Sequence, residues 1–366
     1  MKRRTLLLGV ASSSALLYAP GCGPTEIQDQ RRELMRSWGE ALLLASYAEF
    51  ETLATELEAR AAELRDAPSV ETLEAAQSAW WNARAPWKRT DVFAFGPYAA
   101  LPVRLGVQID FFPARPETVD GVLEGDTPLD ADGMALLGAP AKGLTAIEYL
   151  LFDPAVDLVA EFESNPRRGE YVASAASDLV QRIEQIRQAW HPDFGNYLGE
   201  LLDAGRTSTE FSTLNAALGE LVNRMGYALE NDRNEKLGRA LGDTADGTPR
   251  PDLVESPFSH RSIEDLRDNL HGIELLLLGD AASGIAALDT YLEARGRHLG
   301  RRFREQLGAC YAALDAIPAP LASALGDAPE SVREFMKQLS AMQRLVQVDL
   351  INALSLTVGF NDNDGD

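Results

Sequence analysis

With 366 residues, 45% of them hydrophobic, the chain can bury a large core as one big domain or two smaller ones, and its composition sets it apart from disordered chains. The 56 acidic side chains outnumber the 34 basic ones for a net charge of −22. Such a surface argues against nucleic acid and anionic lipid headgroups as partners, and serves chiefly as a solubility device.

The chain opens on Lys2-Arg3-Arg4 and an apolar run, Leu6 to Tyr18, too short to span a bilayer. Ala19-Pro20-Gly21-Cys22 follows and is similar to a bacterial lipobox, with Ala19 where leucine is usual. Residues 1–21 therefore read as a lipoprotein signal peptide, Cys22 as the lipidated residue and 22–30 as a tether. An ordinary secretory signal is the alternative, and Arg3-Arg4 has a faint twin-arginine character. The expected location is the bacterial cell envelope, with a soluble body held by its lipid at the outer membrane or the periplasmic face. Lipidation leaves Cys310 without an intramolecular partner, and its apolar neighbours predict a buried, inert thiol.

Leu34, Trp38, Leu42, Leu43, Tyr47, Phe50, Leu53 and Leu57 recur mostly at intervals of three and four, which predicts a helix over 31–66. Ser69 caps a second helix that carries Leu73, Ala76, Trp80 and Trp81 to about Ala85, with Pro86 and Gly96-Pro97 marking irregular structure. A broken helix over 101–123 and an acidic loop over 125–132 follow, then a helix over 141–152. Further helices are predicted over 167–190, 208–231, 262–278, 282–316 (interrupted near Gly296 and Gly300) and 329–358, with a long Gly/Pro/Asp/Ser loop over 243–259. Runs of period-2 alternation are scarce, so the class is all-α, built as helical bundles. Leu144 to Leu151 can be laid on Leu270 to Leu277 with five of eight positions identical. That echo is compatible with two packed bundles, over 31–205 and 206–366.

Several separated motifs carry a resemblance. Trp80, Arg84, Pro86 and Trp87 are followed by Asp91-Val92-Phe93-Ala94-Phe95-Gly96-Pro97. Gly143-Leu144-Thr145-Ala146-Ile147-Glu148 leads into Tyr149-Leu150-Leu151. Lys236-Leu237-Gly238, Glu255-Ser256-Pro257-Phe258-Ser259, then Ser262, Asp265 and Asn269 come next, and the chain ends on Val358-Gly359-Phe360-Asn361-Asp362. In this order they resemble the imelysin family over nearly the whole mature chain. The resemblance implies two packed helical bundles with a site between them, export to the bacterial envelope, and a link to iron or haem acquisition. It also brings a metallopeptidase label.

The family's Gly-x-His-x-x-Glu helix corresponds here to Gly143, Thr145 and Glu148. A histidine and a glutamate three apart share a helix face and could both bind a metal. Thr145 takes the imidazole away, and a hydroxyl is a poor ligand for zinc or iron. Glu148 is left to ligate, to accept hydrogen bonds or to pair with an arginine; as a plain helical residue it would be a surface glutamate.

His271 and Glu274 restore the spacing on the echoing segment, so a metal or ligand site could have moved there; the plainer alternative is a partly exposed histidine beside Asp268 and Glu274. Arg84 could hold a carboxylate in its planar fork, with Asp91 as a second acidic ligand, or the two could pair structurally across a turn. Ser259 or Ser262 reads as the N-cap of the helix that carries Asp265, itself a candidate by family position. Trp80 and Trp81 read as core. Asn361 to Asp366 lacks the spacing of a calcium loop and reads as an acidic tail. No His-Glu-x-x-His, nucleophile elbow or P-loop occurs.

The leading expectation is a non-enzymatic envelope lipoprotein binding a metal ion (iron or zinc), haem or an iron-linked ligand between the bundles, with iron-uptake components as partners. The alternatives are a metallopeptidase of the imelysin type using Glu148 as base, and a scaffold with a degenerate site.

Overall fold

The computed structural model describes residues 24–356. The stretch read as a signal peptide, Cys22 and the terminal acidic run lie outside the described residues. Among those described, the chain is helical, and an isolated bridge between Asp280 and Ile285 is the one piece of β-pairing.

Helix α1 (24–66) joins Pro24–Ser37, a π-helical segment Trp38–Leu44 and Ala45–Asp66. It starts within the stretch expected to be a tether. Arg31 explains the order there: its guanidinium reaches the Tyr291 hydroxyl at 2.8 Å and the Leu354 carbonyl at 2.8 Å, which fastens the segment to distant parts of the chain. Helix α2 (Val70–Lys88) starts on Ser69, whose hydroxyl accepts from the Thr72 amide while the Thr72 hydroxyl accepts from the Ser69 amide. It does not stop before Pro86. The proline forfeits one backbone bond, but Trp87 beyond it is buried against Phe50 (5.4 Å) and Tyr98 (5.8 Å), and that burial carries the helix one more turn.

Helices α3 (Gly143–Phe152) and α4 (Pro166–Trp190) pack with α1 and α2. Helix α5 (Leu214–Asn231) begins six residues later than the periodicity suggests, on the cap of Thr213, and runs into a π-helical segment, Asp232–Gly238. Helices α6 (Ser262–Leu278), α7 (Gly300–Asp315) and α8 (Pro329–Arg344) complete the second group, in which α6 packs on α7, α7 on α8 and α8 on α5. Three differences from expectation are local. Residues 280–287 form a tight loop and Leu288–Glu293 a separate short helix, where one helix was expected from 282. The acidic loop ends in a helix at Ala131–Leu136. Leu158–Ser164 and Tyr197–Leu202 are short helices with too few residues to show periodicity.

The two groups share one buried core, in which Trp38, Trp80 and Trp190 are fully enclosed. Truncating any of them would cost about 3–5 kcal/mol. Helix α2 lies on α6 and the 3-10 turn Asp91–Phe93 lies on α5, so the groups meet along this seam. Cys310 is buried as expected, and burial pushes its thiol up to about 11.

Candidate functional site

The seam between the groups is where the charged candidates converge. Gly143 makes this possible: its φ of +72° suits glycine, and a Cβ there would sit 2.4 Å from the Ile109 carbonyl oxygen. The backbone at 108–109 therefore passes directly beneath the start of α3, and the next residue, Asp110, is delivered to the seam. Gly272 plays the same part on α6, where a Cβ would meet the Arg89 carbonyl at 2.3 Å. That close approach draws α6 against the end of α2.

Arg84 and Lys88, one turn apart on α2, enter from one side. The Arg84 fork grips Asp265 of α6 through Nε (3.3 Å) and Nη2 (2.7 Å), while Nη1 donates to Asp110 at 2.7 Å. Lys88 Nζ lies 2.5 Å from Glu255 Oε1 and 3.4 Å from Asp110 Oδ2, and Trp87 Nε1 donates to the same Asp110 oxygen at 3.1 Å. From the π-helical segment after α5, Lys236 Nζ stands 2.8 Å from Asp232 and 3.2 Å from Glu255 Oε2. Arg261 and Ser256 close on Asp265 from the loop and helix start. Arg84 and Arg261 also lie over the rings of Trp80 and Trp81, each at 5.4 Å.

Glu148 occupies the edge of this network and is 1% exposed. Its Oε1 accepts from the Phe258 amide (3.1 Å), the Ser259 amide (2.8 Å) and the Ser259 hydroxyl (2.7 Å). Thr145, in the histidine position, lies with its hydroxyl 2.6 Å from the Phe111 carbonyl and 3.3 Å from Asp110 Oδ1. A hydroxyl has one proton, and the shorter contact takes it.

The electrostatics follow from burial opposed by pairing. Burial lifts Glu148 to about 7 against the Ser259 bonds and Arg84, and lifts Asp232 to about 6 against Lys236. Burial also works against the charge of Glu255 and Asp265, yet the surrounding Lys236, Lys88 and Arg84 (for Glu255) and Arg84 and Arg261 (for Asp265) outweigh it and hold both below the usual carboxylate range. Arg84 and Lys236 remain firmly protonated for the converse reason.

The sequence candidates divide accordingly. Arg84, Asp265 and Glu148 are brought together. Asp91 reaches only the rim, 3.9 Å from Lys236 Nζ, and does not pair with Arg84, which is taken by Asp110 and Asp265. His271 and Glu274 lie outside the network, half exposed, bonded to each other at 3.4 Å, with Glu274 also accepting from Tyr311 at 2.8 Å. Ser259 and Ser262 are not caps of α6: Ser259 serves Glu148, and Ser262 donates to the Glu255 carbonyl. Burial of the first-turn residues around other partners displaces the capping role.

Asp110, Lys88, Asp232, Lys236 and Glu255 were not singled out as charges. Lys236 and Glu255 stood inside quoted motifs, so a signal existed; Asp110, in an irregular stretch, offered none.

As a resident metal centre this donor set does not fit. Each carboxylate is already engaged through at least one oxygen by an arginine, lysine, amide or backbone partner, no imidazole enters, and Thr145 turns its proton to a carbonyl. Among the described residues no group of three or more His, Cys, Asp or Glu is arranged to hold a metal ion. The arrangement can bind two helix groups together, and burial within it raises the proton affinity of Glu148 and Asp232.

A family model described as Imelysin matches residues 43–347. The chain is similar to a curated protein called Iron-regulated protein A from Synechococcus elongatus, 29% identical over 333 residues that cover 88% of this chain and 85% of the relative. In fold it is similar to a crystal structure of an imelysin-like protein from Psychrobacter arcticum, with a TM-score of 0.74 and 19% identity over 91% of this chain and 98% of that one.

Proposed function

Because the chain belongs to the imelysin family, we propose that it serves iron-related physiology in the bacterial cell envelope as a non-enzymatic scaffold, its motif helix turned from ligand holder to structural strap. The iron-related part rests on the relative named Iron-regulated protein A. The envelope part rests on the lipobox-like Ala19-Pro20-Gly21-Cys22. Attachment through a lipid on Cys22 is the mode this reading expects; among the described residues no helix is long and apolar enough to cross a membrane. Iron-uptake components are the partners this reading expects.

One observation carries the scaffold reading: Glu148 Oε1 accepts from three donors of 258–259 while the Thr145 hydroxyl bonds a carbonyl, so both positions of the motif are engaged by the protein itself. The same observation speaks against Glu148 as the base of a metallopeptidase, since a base must reach a water on a metal.

Elemental analysis of the purified chain, with iron and haem titrations and a peptide-cleavage assay against Glu148→Ala, tests the proposal. No stoichiometric metal, no saturable haem binding and equal residual cleavage are expected. Saturable binding that Glu148→Ala abolishes would overturn it.

A further inference from the structure

We infer that the loop 99–104, together with Phe194 at the same groove, is the face by which the protein rests on a zwitterionic phospholipid bilayer. The inference takes the nearness of a bilayer from the envelope reading above and adds the face that meets it.

The loop is built to hold apolar side chains outward. Tyr98 at its base stacks on Trp87 at 5.8 Å, and the Arg104 amide donates to the Ala100 carbonyl at 2.9 Å, which closes a turn under Leu101, Pro102 and Val103. All six residues of 99–104 are exposed, Leu101 at 81% and Val103 at 47%. Leu101 and Val103 line a groove of about 660 Å³ together with Ala189, Gly195 and Tyr197, and Phe194 beside Gly195 is 64% exposed. One exposed leucine is ordinary on a protein surface. A leucine, a proline, a valine and a phenylalanine gathered around one groove are an apolar patch that calls for a partner.

Charge points to what covers the patch. The chain has 56 acidic residues in 366, yet none falls in 92–109. The one charged side chain of that stretch is Arg104, which makes no ion pair or side-chain hydrogen bond among the described residues. The acids at the groove are Glu210 and, next to Phe194, Asp193, which stands 3.8 Å from His191 Nδ1. A bilayer surface asks for apolar tips that enter the acyl boundary and a cation behind them for the phosphate. Leu101-Pro102-Val103 followed by Arg104 supplies these in order. The net charge of −22 repels anionic headgroups, so the lipid that fits is zwitterionic.

The expected anchor and the patch are compatible. Helix α1 begins at Pro24, just after Cys22, and at Gly39 packs against Leu198, the neighbour of Tyr197 in the groove. About 22 Å of helix separates Pro24 from Gly39, so anchor and patch reach one bilayer when the start of α1 lies along its surface.

The test uses the full chain and phosphatidylcholine vesicles whose acyl chains carry bromine, which quenches tryptophan on contact. Leu101→Trp and Phe194→Trp each add a tryptophan at the patch. Val70→Trp adds one at the start of α2, about 26 Å along that helix from Trp87. On vesicles, the emission added at the patch should shift to the blue and lose most of its intensity, while that of Val70→Trp stays as in water. Failure to bind the vesicles, or equal quenching at all three positions, overturns the inference. Patch emission that is already blue-shifted without vesicles and returns to the red on dilution assigns the face to a second copy of the chain, and overturns it too. The mass of the purified chain reads the anchor on Cys22 separately. Quenching of Leu101→Trp in a chain without lipid sinks the attachment and keeps this inference; a lipid-bearing chain without quenching does the reverse.

Discussion

The segments Leu144–Leu151 and Leu270–Leu277 carry the same pattern of apolar residues around a glutamate, and they meet opposite fates. On α3, Thr145 and Glu148 face the seam and Glu148 is 1% exposed. On α6, His271 and Glu274 face outward, with side chains 43% and 33% exposed. Helix α6 does enter the seam, but through Asp265 and Asn269, one turn apart and earlier on the helix. Spacing alone thus places two side chains on one face; which face is buried is decided by what packs on it. The glutamate that is enclosed becomes a strap, and the one left outside keeps a histidine that nothing in the fold organises into a site.

The sharpest way to break this contrast is to remove charge from the enclosed side. Arg84→Ala would leave Asp110 and Asp265 without their shared guanidinium, and breaking a buried pair costs about 3–5 kcal/mol. Denaturant midpoints should show that loss, and a change under about 1 kcal/mol would mean the seam tolerates water and is less closed than its geometry implies.

A second strike exploits the proton on Glu148. Its pKa of about 7 in the folded chain lies above the 4.5 of an ordinary glutamate. A raised carboxylate contributes stability that is whole below the unfolded value and is lost as pH climbs through the folded one. Native stability should therefore fall between about pH 4.5 and 7 through this group, by about 3 kcal/mol for a shift of that size. Glu148→Gln keeps an acceptor for the Ser259 donors and removes the titration. Its stability should match the wild type near pH 4.5 and exceed it at pH 8. Parallel stability–pH curves for the two chains would contradict this.

Thr145→Val asks for less. It keeps the shape and removes the hydroxyl that reaches the Phe111 carbonyl, for about 1 kcal/mol. A neutral result, read from the same midpoints, would mean that water replaces the bond.

Much of this molecule was legible in its residues. Three–four spacing marked α1, and Ser69 marked the start of α2. Arg84, Glu148 and Asp265 stood out through motif positions and do meet. Asp110 was hidden because its place depends on Gly143 admitting the 108–109 backbone, a contact between segments that no local pattern records. Lys88 was hidden behind Pro86, read as a breaker when the burial of Trp87 overrides it. Asp232 and Lys236 were obscured by a π-helical turn, which shifts the register of faces without any mark in the sequence.

The smallest effect belongs to the exposed pair. His271→Ala removes a side chain that bonds Glu274 at 3.4 Å on a partly exposed face, while Glu274 keeps the Tyr311 hydroxyl at 2.8 Å. Substitutions of this kind stay within about 0.5 kcal/mol, and binding of iron or zinc should be indistinguishable from the wild type. His271 also lines a polar cleft of about 350 Å³ with Ser46, Glu49, Arg89 and Asp280, so the measurement has a place to fail. A weakened metal isotherm in His271→Ala would mean that the outward face of α6, and not the seam, carries what α3 has given up.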